Sequence, residues 1–416
     1  MEHRHSTGES GLPSTGQHAG ESGLPSAPAV RLTVVAVLLP LVLATVAGLI
    51  LLWPSGDLPE VEGAQRSDAT ILDVRPCAAP PEEDSGEECR EADVRIDSGA
   101  DDGVRVVVPV PFGAGAPEFE PGDRVIVGAV PDAPIESRYE LLDYQRQMPL
   151  LILVVMFATA VIVLSRWRGL ASLASLGLSI AILITFVLPA LLDGRPPLAV
   201  AIVGASTIMI TTLYLSYGFS VRTSVALLGT LFSLTLTGVL GLIFTTVGRF
   251  TGLADEASAY LGAVGASIDL HGLLLAGLVI GALGVLDDVT VTQTAAVWEL
   301  ADADPEASRR SLFAAGLRIG RQHVSATVNT LVLAYAGASL PVLLLFAVSG
   351  QGPLDTVTNE LIAQEVVRAL VGGLGIVTAV PLTTLIASLA VRERPRPNRI
   401  RGRRARAAAH VSSSRA

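Results

Sequence analysis

His271-GLLLAGLVIGALGVLDDVTVTQTAAVW-Glu299 is an apolar run long enough to cross a bilayer, with two adjacent aspartates inside it. A spanning helix needs about 20 apolar residues. An ionised carboxylate at that depth costs roughly 2.5–3.5 kcal/mol even on lenient insertion scales. Asp287 and Asp288 therefore call for a cavity, a bound cation, a shared proton or a polar partner helix. The plainer alternative is a buried polar clasp between helices.

Working outward, the whole chain fits the same frame. Its 416 residues are 50% hydrophobic and 16% charged, with mean hydropathy +0.55, too apolar for an ordinary soluble enzyme. Eight apolar blocks of spanning length are predicted at 32–53, 149–165, 170–192, 197–217, 223–247, 272–294, 323–349 and 371–391. All the basic residues are arginines. With both termini in the cytoplasm, Arg166, Arg168, Arg222, Arg309, Arg310, Arg318, Arg321, Arg4, Arg31 and nine tail arginines lie inside. Only Arg195, Arg249 and Arg368 then fall in short outer loops, which satisfies the positive-inside rule with an even number of spans.

The net charge of −10 belongs to one region. Residues 55–147 hold 22 acidic residues against 8 arginines, a balance of −14, which leaves +4 for the rest. This segment follows the first span and is expected outside the membrane, where an acidic surface serves solubility. Its Cys77 and Cys89 are the chain's only cysteines, and a disulfide between them is expected in an oxidising compartment.

The predicted organisation is a disordered cytoplasmic tail over 1–28, a first transmembrane anchor over 29–54, an extracytoplasmic β-rich domain over 55–147, a seven-helix transmembrane domain over 148–392 and a basic cytoplasmic tail over 393–416. The fold class is membrane α-helical, with about eight transmembrane helices and a small exported barrel-like domain between the first and second spans. Its five strands are predicted at 69–75, 92–96, 104–110, 124–130 and 138–143, bounded by Gly, Pro and Asp clusters, and Glu120-PGD-Arg124 reads as a turn. The acidic insert 82–88 lacks EF-hand spacing and reads as a solvated loop. Arg309–Arg321 is predicted as an interfacial helix, separate from the seventh span. Asn359–Leu370 is predicted as a surface helix or a re-entrant entrance to the last span. The basic run Arg392–Arg406 is expected to meet anionic lipid headgroups rather than nucleic acid.

Helical periodicity puts Gly277, Gly281, Gly284 and Asp288 on one face, with Gly277 and Gly281 forming a GxxxG pair. Asp288 is therefore expected to point at a neighbouring helix. Asp287, offset by about 100°, shares a strip with Thr290 and Thr294 and is the candidate for a cavity. Two carboxylates this close do not both ionise in a dry site, so the pair is expected to titrate as a coupled unit. Thr292 and Gln293 add polar groups nearby, and Asn329 in the seventh span is a candidate partner for Asp288 or interhelical glue. His323 sits at the cytoplasmic lip. Pro381, in the middle of the last span, frees the carbonyl of Val377 and marks a candidate break lining a cavity.

Gly281-ALGVLDDVT-Val291, Gly320-RQHVSATVNTLVLAYAGASLP-Val342 and Asn359-ELIAQEVVRALVGGLGIVTAVPLT-Thr384 resemble the YibE/F-like family of bacterial multi-pass membrane proteins. The resemblance covers about Pro149 to Val391 and, more loosely, the β domain. It implies a multi-pass topology in the bacterial inner (plasma) membrane and a permease-like function, and it carries over no established site. The family pattern has one Asp here, so the doubled Asp287–Asp288 is a departure.

The leading expectation is a secondary, ion-coupled transporter of a small ion or solute, with Asp287, Asp288, Thr292, Asn329 and Pro381 lining its pathway. The alternative is a non-transporting cell-envelope scaffold whose exported domain binds an envelope protein. An enzyme is not expected: the chain has no nucleotide-binding loop, no HExxH and no Ser/His pair at a sensible depth. No cofactor is called for, the metal question is open, and the partners expected are the lipid bilayer and the solute.

Overall fold

The computed structural model describes residues 28–55, 65–77, 89–111, 116–130, 133–135, 137–254, 256–263, 269–350 and 352–391. The two tails, apart from residue 28, and the acidic insert 82–88 lie outside these described residues. In chain order the elements are α1 (Pro28–Leu51), β1 (Gln65–Pro76), β2 (Arg90–Ile96), β3 (Arg105–Val110), β4 (Arg124–Ala129), β5 (Tyr139–Tyr144), α2 (Gln147–Ile182), a π-helical turn at Leu183–Val187, α3 (Leu188–Leu192), α4 (Pro197–Tyr217), α5 (Val221–Val247), α6 (Glu256–Ala263), α7 (Leu270–Ala303), α8 (Arg309–Ala338), α9 (Leu340–Val348), α10 (Pro353–Thr358) and α11 (Glu360–Ala390). Residues 57–173 form one unit, and the remainder of the chain forms the other.

The first unit is built on an antiparallel sheet of order β3-β2-β1-β4-β5. Strict alternation along β3 buries Val106, Val108 and Val110 and exposes the residues between them, the period-two pattern of a half-buried strand. Ile71, Val94, Ile96, Val125 and Val127 complete the core from neighbouring strands. The long β1 pairs with β4 through its first half and β2 through its second, with a register shift between Ile71 and Asp73. That shift bends the strand and lets β3 and β5 lie against each other without ladder bonds, so the sheet is curled rather than closed into a barrel.

Two fastenings hold the ends of this sheet. In the β2–β3 turn the Asp101 carboxylate accepts from the Tyr139 hydroxyl at 2.7 Å and from Arg138 Nη1 at 2.8 Å. Those bonds hold its carboxyl below the usual carboxylate range. Cys77 and Cys89 are joined by a disulfide with their Cα atoms 5.4 Å apart. At Glu120-PGD, Gly122 takes φ +98° and Asp123 accepts from the Glu120 N–H at 2.8 Å, the tight turn that glycine permits.

The second unit is helical, and α5, α7 and α11 form its centre, flanked by α4 and α8. Leu227, Leu234, Val279, Leu286, Ile376 and Ala379 are fully buried there. Small residues allow the close approach: Gly229 on α5 seats Thr383 of α11, and Gly375 on α11 seats Thr237 of α5. A methyl group at either glycine would fall inside van der Waals contact with that threonine. At another end, Asp193 accepts from the Ser55 N–H and hydroxyl at 3.2 Å and from Arg195 Nε at 3.1 Å. The Ser55 N–H is the first cause that holds the Asp193 carboxyl low.

Three sequence expectations are corrected. Arg309–Arg321 is not a separate interfacial helix: α8 runs unbroken from Arg309 to Ala338, and the bend of 59° comes later, where α8 meets α9. Asn359–Leu370 is not a separate surface or re-entrant element, because Asn359 is the N-cap of α11 and its side chain accepts from the Leu361 N–H. Arg368 is therefore not in a loop but inside α11, about 12 Å along its axis from the first residue. Among the described residues six helices are long and apolar enough to cross a membrane, or seven if α8 and α9 together make one bent span. One of the six is the 46-residue run Gln147–Leu192, which contains a non-helical residue at Arg166 (φ 52°).

Candidate functional site

Asp287 and Asp288 lie past the middle of α7, and the helix turns them to different surroundings. Asp287 is half-buried, and its Oδ1 is enclosed with no hydrogen-bond partner among the described residues. Asp288 is exposed on the surface of the isolated chain. The expectation that Asp288 points into a neighbouring helix is thus overturned. Gly277, Gly281, Gly284 and Thr292, on the same strip, are exposed as well, and nothing lies within 4 Å of where a Cβ on Gly284 would sit. The glycines make an exposed strip down the helix, open at Gly284 and approached by side chains of α8 and α11 at Gly281 and Gly277.

The opposite faces of α7 are closed by hydroxyl and amide groups. Thr290 is fully buried, bonds the backbone oxygen of Asp287 at 3.1 Å and shares a hydrogen bond with Thr230 of α5. Gln293 is 3% exposed and donates from Nε2 to the Gly316 carbonyl of α8 at 2.8 Å and to the Thr384 hydroxyl of α11 at 2.7 Å. Gly316 and Gly320 make this possible, since a Cβ on Gly320 would lie 2.8 Å from Gln293 Oε1. Three helices are therefore clasped one to two turns beyond the aspartates. Ser233, Thr294 and Thr383 are buried in the same α5–α7–α11 region with hydroxyl oxygens that have no partner among the described residues.

The remaining sequence candidates are dispersed. Thr292 is exposed, and its hydroxyl turns back to the Asp288 carbonyl at 2.7 Å. Asn329 lies exposed on α8, and no hydrogen bond links it to either aspartate among the described residues. Pro381 does not interrupt α11, which runs through it as one helix. It is half-buried and stands one turn before Thr384, the partner of Gln293, instead of beside the aspartates. His323 Nε2 is buried and has no partner among the described residues.

Sequence reasoning missed a second polar cluster, at the other end of the glycine strip. Arg368 of α11 pairs through Nη1 with Glu365 Oε1 at 2.5 Å, and its Cζ sits 5.9 Å from the centre of the Tyr335 ring of α8. Its Nη2 lies 4.0 Å from where a Cβ on Gly277 would be, and the Tyr335 hydroxyl 3.2 Å from one on Gly281. The signal was present as Arg368 three residues after Glu365, but assigning Arg368 to a loop removed it from consideration.

These features define a helical protein whose apolar helices are of membrane-spanning length, with a polar strip on one of them and a small curled sheet attached. The YibE/F-like protein family matches residues 153–393, well over half of the chain, and the chain belongs to that family. The matched region contains α7, α8 and α11 together with both polar clusters. No curated protein and no solved structure matches the chain.

Proposed function

We propose that this protein is a secondary, ion-coupled transporter of the bacterial plasma membrane and that the strip Gly277–Gly281–Gly284–Asp288–Thr292 lines its solute pathway. One observation carries the reading: a carboxylate and three glycines are exposed along a single face of a helix whose length and composition suit the membrane interior. Lipid tails are a poor neighbour for that face, and a water-filled pathway is a good one. Asp287, with an enclosed oxygen that lacks a partner among the described residues, is the second half of the coupling site.

The topology of this proposal has eight spans, both termini in the cytoplasm and the sheet unit exported. Its count divides Gln147–Leu192 at Arg166. A 46-residue helix would extend about 69 Å, more than twice the hydrocarbon thickness of about 30 Å. The break also falls beside Arg168, where the positive-inside rule places a cytoplasmic turn. The bent α8–α9 pair counts as one span.

The test is metabolite and metal profiling of a deletion strain complemented with wild type, Asp287→Asn or Asp288→Asn. Transport predicts a solute imbalance that wild type corrects and Asp288→Asn does not, at equal membrane abundance. If both substitutions complement fully while removal of 58–145 abolishes function, the protein is instead an envelope scaffold acting through its sheet unit.

A further inference from the structure

We propose that Arg368 is an oxyanion-binding residue at the Gly277 end of the glycine strip, taking a carboxylate or phosphate group where α7, α8 and α11 meet. A guanidinium presents five N–H donors in a planar fork, and Nε and Nη2 share one edge of it. That edge holds an oxyanion through two parallel bonds. Glu365 takes only Nη1, at 2.5 Å. Nε is enclosed and has no partner among the described residues, and Nη2 faces Gly277. The ion pair thus leaves the two-point edge unused.

The surroundings suit a ligand. Gly277 has no side chain to fill the space before Nη2, and the guanidinium carbon sits over the Tyr335 ring at 5.9 Å from its centre, within cation–π range. Gly281, beside the Tyr335 hydroxyl, continues the same exposed strip. Asp288 stands 11 residues beyond Gly277, about 16 Å along the helix, so the strip has the Arg368–Glu365 pair with its unused donors at one end and a carboxylate at the other. If the strip is the solute pathway, the solute is an organic anion; that clause alone rests on the transport reading.

The experiment uses the purified full-length protein in an uncharged detergent and follows thermal unfolding by tryptophan fluorescence. Sodium phosphate, sodium succinate and phosphatidylglycerol in mixed micelles are titrated separately, each against sodium chloride at matched ionic strength. Wild type is expected to melt at a higher temperature with at least one of them. Arg368→Lys keeps the charge and loses the two-point edge, so its half-maximal concentration should rise at least tenfold. Glu365→Gln keeps Arg368 and releases Nη1, so it should bind as tightly as wild type or more tightly.

A response to phosphate or succinate identifies a free anion as the ligand. A response to phosphatidylglycerol alone assigns the site to a lipid headgroup and removes the organic-anion solute. The proposal is overturned if no probe stabilises wild type, if Arg368→Lys responds as wild type does, or if Glu365→Gln binds more weakly. The readout needs no turnover, so failure of the aspartate substitutions to alter transport would leave it unaffected.

Discussion

Replacing Gln293 by Leu removes the hydrogen bonds that clasp α7 to α8 and α11 while keeping most of the side-chain volume. The amide gives two bonds, at 2.8 Å to the Gly316 carbonyl and 2.7 Å to the Thr384 hydroxyl. Interhelical hydrogen bonds within membranes contribute about 0.6 kcal/mol on average and up to about 1.7 kcal/mol. Two of them together predict a loss of roughly 1–3 kcal/mol for Gln293→Leu. Thr384 also donates to the Val380 carbonyl within its own helix. A double-mutant cycle with Thr384→Val is therefore needed to isolate the bond to Gln293, with an expected coupling of about 0.6–1.7 kcal/mol. The assay is reversible unfolding of the purified protein by SDS, followed by tryptophan fluorescence. Zero coupling, with Gln293→Leu as stable as wild type, would refute the clasp.

Other expectations separate close contact from open space. Gly229→Ala and Gly375→Ala should destabilise by about 1–3 kcal/mol, as overpacked sites do, because each methyl would overlap a threonine of the opposing helix. Gly284→Ala should be neutral or stabilising by up to about 1 kcal/mol, the helix-propensity gain, since nothing stands near its Cβ position. The same SDS unfolding assay ranks all three variants. Reducing the Cys77–Cys89 disulfide, a bridge across a sequence separation of 12, should destabilise the sheet unit by about 3 kcal/mol on the loop-entropy model. Mass spectrometry of the unreduced chain should show the loss of two hydrogens. Asp101 gives a pH dependence of defined sign. Its folded value lies below the reference of 3.8, so its stabilising contribution is complete above that reference and disappears as pH falls through the folded value. Hydrogen exchange of the β2–β3 turn in the full chain should be faster for Asp101→Asn than for wild type at neutral pH. The two rates should converge in acid.

Much of the architecture is legible in the sequence because it follows from periodicity. All five strands fall where alternation and turn residues put them, with boundaries at most four residues off. The apolar blocks likewise become helices. Helix ends were less legible, since hydropathy detects apolar residues and not the polar turns that extend the same helix. For this reason Arg309–Arg321 and Asn359–Leu370 read as separate pieces, although each is one end of a continuous helix.

Facing was the harder problem. Glycines at helical spacing mark a close helix contact or an open strip equally well, and only the shape of the neighbours decides between them. At Gly284 the neighbours leave the strip open, at Gly277 and Gly281 single side-chain ends of α11 and α8 approach it, and at Gly229, Gly375, Gly316 and Gly320 the neighbours close in. The same ambiguity misplaced Asp288, which is exposed instead of turned into a neighbouring helix. The Gln293 clasp depends on a carbonyl of α8, and a backbone acceptor leaves no mark in sequence.

The central claim is that the glycine strip of α7 faces water within the membrane. Cysteines placed one at a time at Gly284 and Thr292, in a protein carrying Cys77→Ser and Cys89→Ser, test it by reaction with a charged thiol reagent in native membranes. Thiols react as thiolates, which form in water and not in lipid tails or a packed core. Leu286→Cys, in the helical core, and Phe232→Cys, on the apolar outer face of α5, are the two unreactive references. The account predicts that Gly284→Cys and Thr292→Cys are labelled at least tenfold faster than both references. Labelling as slow as that of Phe232→Cys would place the strip against lipid or a protein neighbour and contradict it.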